Sequence, residues 1–452
     1  MGRNDHHHHN HDVHHEHHWT NWGGNQHVHP ADVVTPSTEA ELEAIVGRGV
    51  AEGHKVKVVG SGHSFSDIAC TDGLMVSVGA FHEILHVDRA QHRVTVGAGI
   101  VLADLNTQLW DLEMSLPNLG DIDQQTLAGA IATATHGTGA TFDSISAAVV
   151  GARIVTGDGS VLEVSETQRS DLLSAVRVGI GALGIVTALT MQCEPAFNLH
   201  AVESTHDVDA LLDDIDDLVG ANDHVEFYWF PHTRTGQLKV NNRTTEPSAR
   251  RGKFAAFLND ELLSNAGFGA LNLAGRRFPG LIPRAMGMAM KPGSSFEYVA
   301  PSHEVFCAKR RVRFVEMEYA IPRSDLQEAF GRVRALVNQL GRPISFPIEV
   351  RVLGADDTAL GTASGRATAY VACHVYRGTR YDDYFGGVER IMADYGGRPH
   401  WGKLHTHAAE TLSPLYPRWG EFQTALDELD PDGHFSNPYL DRVLRGNDFT
   451  SR

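Results

Sequence analysis

Apolar positions recur at helical spacing in STEAELEAIVGRGVAEG after Pro36, which predicts a helix with Ser37 or Thr38 as its N-cap and Gly53 as its stop. The period then drops to two. KVKVVG reads as a strand, followed at once by the turn GSGHSFSD and by two further β-rich runs, LMVSVGAF and HRVTVGAGI. VLADLNTQLWDLEMS, from Val101 to Ser115, has the pattern of an amphipathic helix, and PNLGDIDQQTLAGAIATATHGTG crowds glycine and threonine into what reads as a single loop. AAVVGARIVTGDGSVLEV predicts two strands joined through Gly157, Asp158 and Gly159, and VGIGALGIVTALTMQCEP a glycine turn leading into a strand. These elements form one unit that runs to about Pro195.

The character then changes. HDVDALLDDIDDLV predicts an acidic helix, VEFYWFP an aromatic strand, and residues around Thr244 to Gly280 read as irregular. VRFVEMEYAIP, SFPIEVRVLG and TAYVACHVYRG read as long strands of one sheet, separated by the helices SDLQEAFGRVRALVNQL and RYDDYFGGVERIMADYG. The two patterns together predict an α+β chain of two units.

Composition narrows the function classes. At 452 residues the chain is long enough for two domains, and no apolar run approaches the roughly 20 residues that span a bilayer. A net charge of −18 repels phosphate backbones, so nucleic acid is not expected as a partner and a small neutral molecule is. Cys70, Cys193, Cys307 and Cys373 are widely separated with no CxxC pair, and the N-terminus lacks the pattern of an export signal; both point to reduced thiols in a cytoplasm. The tract from His6 to His18 has nothing to pack and reads as a disordered tail. It can scavenge metal, but without a rigid surrounding no specific metal site is predicted.

The GSGHS turn, Gly60 to Ser64, follows a strand, so its glycines can offer backbone N–H groups to a pyrophosphate. Phe65 stands where a nicotinamide-binding fingerprint needs its third glycine, and no helix pattern opens there, which excludes that reading. Glu349 and Arg351 stand two apart in a strand and so share a face; EVR can be a cross-strand ion pair or can present a carboxylate and a guanidinium to one small molecule. Lys403 in HWGK reads by itself as a solvated lysine, and His374 in ACHVYRG as a packed strand histidine.

Several strings point further. VVGSGHSFSDIACTDG, with His63 inside the turn, resembles the pyrophosphate loop of the vanillyl-alcohol-oxidase flavoprotein superfamily, whose members often bond the flavin 8α-methyl to that histidine. SLPNLGDID, ATATHGTG (residues 132–139) and GALGIVTALT resemble its later FAD-contacting segments, in the same order and at similar spacing. WTNWGGN, FVEMEYAIP, FPIEVR, RPHWGKLH and LDPDGHFSNPYLDRVL resemble the aldonolactone oxidoreductase group of that superfamily. That group holds L-gulono-1,4-lactone and D-arabinono-1,4-lactone oxidases and a mycobacterial L-gulono-1,4-lactone dehydrogenase. The similarity runs over nearly the whole chain outside the His-rich tail.

The resemblance implies a VAO/PCMH-type FAD-binding fold: a tail over 1–18, an FAD-binding domain over 19–195, an α+β cap that takes the substrate over 196–411, and a segment over 412–452 returning to the FAD domain. It implies FAD held by Gly60, Ser61, Gly62, His63, Ser64, Gly120, Asp121, Gly129, Thr133, Thr135, His136, Gly137, Thr138, Gly184, Ile185 and Val186, with a covalent bond through His63; His63 could instead only hydrogen-bond phosphate. Hydride transfer from a hydroxyl-bearing carbon needs a proton acceptor and a cation near the flavin. The resemblance assigns these duties to Glu349, Arg351, Lys403 and His374, on a sugar lactone oxidised at C2, with oxygen, a quinone or a cytochrome as acceptor. Glycine at 120 leaves the path of oxygen to the flavin open. An open-chain alditol oxidase is the nearest alternative, disfavoured by Asp121, where alditol oxidases have serine. A flavin- or metal-binding protein without turnover is the alternative from another class, and retention of EVR and HWGK weighs against it.

Overall fold

The computed structural model describes residues 17–249, 267–289, 292–308 and 312–446. Most of the histidine tract, and part of the stretch expected to be irregular, lie outside them. Three strands, β1 (Asp32–Val34), β2 (Val56–Val59) and β3 (Leu74–Ser77), make a parallel sheet in the order β1-β3-β2, with α1 (Glu39–Ala51) as the crossover. The α1 N-cap is Thr38, whose hydroxyl accepts the Glu41 N–H, while Glu41 accepts the Ser37 N–H in return. Gly53 follows the helix at φ +74°, where glycine ends a helix without strain.

A five-stranded antiparallel sheet follows: β4 (Ile84–Asp88), β5 (Arg93–Gly97), β6 (Val149–Val155), β7 (Val161–Ser165) and β8 (Ile185–Gln192), ordered β7-β6-β8-β5-β4. The Gly157 to Gly159 hairpin is formed, joining β6 to β7 with Val155 opposite Val161. The predicted helix after Val101 spans Leu102–Asp111 as α2. The stretch read as one loop contains a helix, α3 (Leu127–Ala132): the Thr126 hydroxyl accepts the Gly129 N–H, and this cap lets the small residues of LAGAIA coil. Ile100, Leu105, Leu127, Ile131 and Leu189 pack in one core with Trp401, Leu412, Phe422, Leu426 and Leu440 from the end of the chain.

The remaining strands build an eight-stranded antiparallel sheet: β9 (Asn198–Asp207), β10 (His224–Trp229), β11 (Thr235–Thr244), β12 (Ser295–Pro301), β13 (Phe314–Pro322), β14 (Ile348–Leu353), β15 (Thr368–Tyr376) and β16 (Arg398–Pro399), ordered β12-β9-β11-β10-β14-β15-β13-β16. Three helices cover one face: α4 (Val208–Ala221), α5 (Leu326–Gln339) and α6 (Asp382–Ala393). Phe227, Val350, Val371, Cys373 and Met317 on that face join Leu211, Ile215, Phe330, Val333 and Val388 of the helices in the second core. Because side chains alternate along a strand, the residues between them point to the opposite face, toward the first unit. No described helix is long and apolar enough to cross a membrane.

Candidate active site between a glycine-lined cleft and a polar sheet face

A cleft runs beside β2 and the turn that follows it. Gly60, Ser61, Gly62, His63 and Ser64 line it, with Gly129 and Thr133 of the α3 region and Gly184 and Val186 at the start of β8. Between those last two, Ile185 points the other way into a fully buried core, as alternation requires, which leaves only its backbone to the cleft side. Gly62 sits at φ +71° and Gly184 at φ +139°, conformations that only glycine adopts freely. The N–H groups of Ser61, Gly62, His63 and Ser64 donate to no acceptor among the described residues, so the turn presents a row of free donors. Such a nest fits a pyrophosphate, and the cleft continues from it along Gly129, Thr133, Gly184 and Val186. Lys57 also lines the cleft; its buried ammonium donates to the Gly181 and Phe435 carbonyls at 3.2 and 3.0 Å, and burial lowers its pKa to about 7. The His63 ring stacks on Trp22 at 5.3 Å, and burial, with the nearby Arg313 charge, holds its pKa below the ordinary value, favouring the neutral imidazole.

The side of the eight-stranded sheet turned away from its helices carries the second half of the site, and most of its residues are buried. Register puts Tyr228, Glu349, Ala372 and Glu318 in one transverse row across β10, β14, β15 and β13. Arg351 lies opposite Tyr370, and Glu316 opposite His374, on the same face. Arg351 Nε lies 2.6 Å from Glu349 and 2.7 Å from Glu226, and its Nη2 is 3.7 Å from Asp121. The Tyr228 hydroxyl donates to Glu349 at 3.1 Å. Lys403 Nζ bridges the Glu316 carboxylate and Glu318, the latter at 3.0 Å, and His374 Nε2 is 3.3 Å from Glu316. Ala372, a small residue, stands at the centre of this row between Glu349 and Glu318.

Counting charges explains the protonation of this face. Among the described residues, Glu226, Glu316, Glu318 and Glu349 pair with the fixed cations Arg351, Lys403 and Lys239, and Asp121 lies 3.7 Å from Arg351. Burial opposes ionisation of all the glutamates, but the cations overcome it at Glu226, Glu316 and Glu318, whose pKa values fall below the ordinary range. Glu349 goes the other way: burial, reinforced by Asp121 and Glu226 and only partly offset by Arg351, raises its pKa to about 7. A carboxyl poised near neutrality in a buried site can accept or release a proton during turnover. Glu316, Glu349 and His374 offer ligand atoms within 4.8 Å of one another, a spacing that suits a cation, yet Lys403 and Arg351 already place positive charge on two of the three.

The remaining predicted residues join the two halves. His136 stacks on Tyr370 at 3.7 Å between ring centres, with Nε2 2.6 Å from Glu318 and Nδ1 2.8 Å from the Gly137 carbonyl oxygen, so its ring ties the loop to the sheet face. Thr138 donates to the Val225 carbonyl and accepts the Val352 N–H, stitching the loop to the sheet. A Cβ on Gly137 would lie 2.2 Å from the Leu119 carbonyl, so that segment passes too close for a side chain, while one on Gly120 would lie 3.1 Å from the His136 carbonyl, a tighter approach than usual. The Thr135 hydroxyl is buried without a hydrogen-bond partner among the described residues. Thus Gly60 to Ser64, Gly129, Thr133, Gly184 and Val186 gather in the cleft, while Asp121, His136, Glu349, Arg351, His374 and Lys403 gather at the sheet face. Sequence reasoning missed Lys57, Glu226, Tyr228, Glu316 and Glu318. Four of these carried a signal: charged or phenolic groups at period two inside the apolar strands VEFYW and FVEMEY, costly to bury unless partnered.

Comparison with known proteins agrees with this division. Residues 30–165 match the FAD binding domain family and residues 189–443 match the D-arabinono-1,4-lactone oxidase family. L-gulono-1,4-lactone dehydrogenase from Mycobacterium tuberculosis is 42% identical over 426 residues, covering 94% of this chain and 99% of that protein. L-gulonolactone oxidase from Mus musculus is 32% identical over 446 residues, covering 94% and 97%. A crystal structure of cholesterol oxidase from B. sterolicum superposes with a TM-score of 0.77 over 95% of this chain and 97% of that one, at 17% identity, a likeness of fold alone. The chain therefore belongs to the D-arabinono-1,4-lactone oxidase family of FAD-dependent aldonolactone oxidoreductases within the vanillyl-alcohol-oxidase superfamily.

Proposed function

We propose that this enzyme oxidises the C2 hydroxyl of L-gulono-1,4-lactone or D-arabinono-1,4-lactone to a 2-keto lactone, which enolises to an ascorbate-type product. The observation that carries the reading is the buried Glu349 and Arg351 pair on a polar sheet face that adjoins the dinucleotide cleft. FAD, when bound in the cleft, supplies the hydride acceptor at its N5. Arg351 then orients the substrate by donating to its oxygens, and Glu349, with a pKa near 7, takes up the hydroxyl proton. Lys403, held in place by Glu316 and Glu318, offers a fixed positive charge for the anion that develops as the cofactor is reduced. His374, 3.3 Å from Glu316, completes the substrate side of the pocket.

We assign His63 as the site of covalent attachment to the flavin. The free turn donors would hold a pyrophosphate beside it, and Trp22 stacking with a neutral imidazole would leave a ring nitrogen available for bonding, which supports the assignment. Oxygen is the acceptor favoured over a quinone or cytochrome, because Gly120 resembles the position that controls oxygen access to the flavin in this group and carries no side chain there. Steady-state assays with both lactones and with xylitol and sorbitol, using a soluble dye as acceptor, test the assignment. Lactone turnover with formation of an enediol product is expected; turnover of the polyols alone would replace it with the alditol oxidase reading. Peroxide formed mole for mole with product in air would support oxygen.

A further inference from the structure

Two short helices, α7 (Gly267–Arg277) and α8 (Leu281–Ala289), form a hairpin between β11 and β12. Its inner side is anchored. Gly275 lets the helices meet, since a Cβ there would lie 2.6 Å from Ile282, and Ile282 and Met286 are buried. The Asn272 carbonyl oxygen accepts the Ser345 hydroxyl, and Phe268 packs edge-on against Phe346 at 4.8 Å, which seats the hairpin at the start of β14, three residues from Glu349.

Among the described residues, the outer side has no such anchor, the Arg277 guanidinium 5.4 Å from the Phe278 ring being a contact within the hairpin itself. Leu273 is 59% exposed, Phe278 63%, Leu281 42% and Met288 73%, four of the seven large exposed hydrophobic residues of the described chain within sixteen positions. Leu273 and Arg277 stand four apart on α7, and Leu281, Arg284 and Met288 three and four apart on α8, so apolar and cationic groups share an exposed face of each helix. From Gly267 to Ala289 the sequence has Arg276, Arg277 and Arg284 and no acidic residue, in a chain with 56 Asp and Glu against 38 Lys and Arg. Over positions 250–313 it has eleven Lys and Arg against four Asp and Glu. A cationic, apolar surface on a strongly anionic protein is not what solubility favours; it matches the interface of an anionic bilayer, where apolar side chains enter the acyl boundary and arginines meet headgroup phosphates.

We propose that the α7–α8 hairpin docks the enzyme peripherally on anionic membrane surfaces, with Phe278, Leu281 and Met288 inserted and Arg277 and Arg284 at the phosphates. This proposal is independent of the lactone assignment.

The test is sedimentation of the full-length, FAD-loaded protein with vesicles of phosphatidylcholine alone and with vesicles half of phosphatidylglycerol. Binding is expected to the anionic vesicles only and to fall as salt is raised. Replacing both Phe278→Ser and Met288→Ser should weaken partition at least about tenfold, and Arg277→Glu or Arg284→Glu by about fivefold each. Turnover with a soluble dye should be unchanged in all of them, which shows that they fold. Equal sedimentation of wild type and variants, or no sedimentation of either, would overturn the proposal. So would a dimer in analytical ultracentrifugation that Phe278→Ser and Met288→Ser convert to monomer, which would make a second copy of the chain the occupant of this face.

Discussion

Replacing Glu349 by glutamine separates a proton-transfer role from a structural one, because the two predict opposite changes in stability. The Glu349 carboxyl titrates near 7 rather than at its ordinary 4.5, so its ionised form is disfavoured in the folded protein by on the order of 3 kcal/mol. Folded enzyme keeps this proton between pH 4.5 and 7 while unfolded chain releases it; stability therefore falls as pH rises through that window and stays lowered above it. Glutamine has the same shape, retains an acceptor for the Tyr228 hydroxyl and Arg351, and has no proton to lose. Glu349→Gln should therefore match wild type in thermal unfolding at pH 5 and exceed it at pH 8 by up to ~3 kcal/mol. Activity should move the other way. Wild-type kcat/KM for lactone should rise with pH through about 7 as the base form appears, and the variant should lose that rise, with kcat/KM down by about 10²–10⁴. A variant that keeps the rise, or that loses activity and stability together at pH 8, would refute the assignment.

Two further outcomes bear on the cofactor side. Lys403→Met leaves Glu316 and Glu318 without their shared cation, which should cost about 3–5 kcal/mol of stability, and should lower the midpoint potential of the bound flavin; an unchanged potential would remove Lys403 from its proposed role. After acid precipitation the flavin should stay with the wild-type polypeptide and pass into the supernatant from His63→Ala, and free flavin from both would leave His63 as a phosphate-loop residue only.

How far the sequence could be read depended on whether a feature was local. The Gly60 to Ser64 turn, the Gly157 to Gly159 hairpin and the acidic helix after Asp207 are set by residues within a few positions, and each appears where its pattern places it. β9 was harder. NLHAVESTHD alternates buried and half-buried positions, but its alternation mixes Leu199 and Ala201 with Glu203, too polar to announce a strand; pairing with β11 and β12 supplies what propensity does not. The Leu127–Ala132 helix was hidden by the glycine and threonine around it. The site divides in the same way. EVR shows by itself that Glu349 and Arg351 share a face, yet nothing local says that Glu318 stands two strands away in the same row, since that depends on the register of β13, β14 and β15. His136, expected among cofactor contacts, has its ring turned to Glu318 and Tyr370, a placement fixed by packing between the two units.

The central claim is that a sugar lactone meets a reducible flavin across the sheet face bearing Glu349, Arg351 and Lys403. Anaerobic rapid mixing of purified enzyme with L-gulono-1,4-lactone or D-arabinono-1,4-lactone tests it most directly. The account predicts bleaching of the flavin absorbance band within a single turnover and loss of that bleaching in Glu349→Gln. A flavin that stays oxidised with both lactones would contradict it.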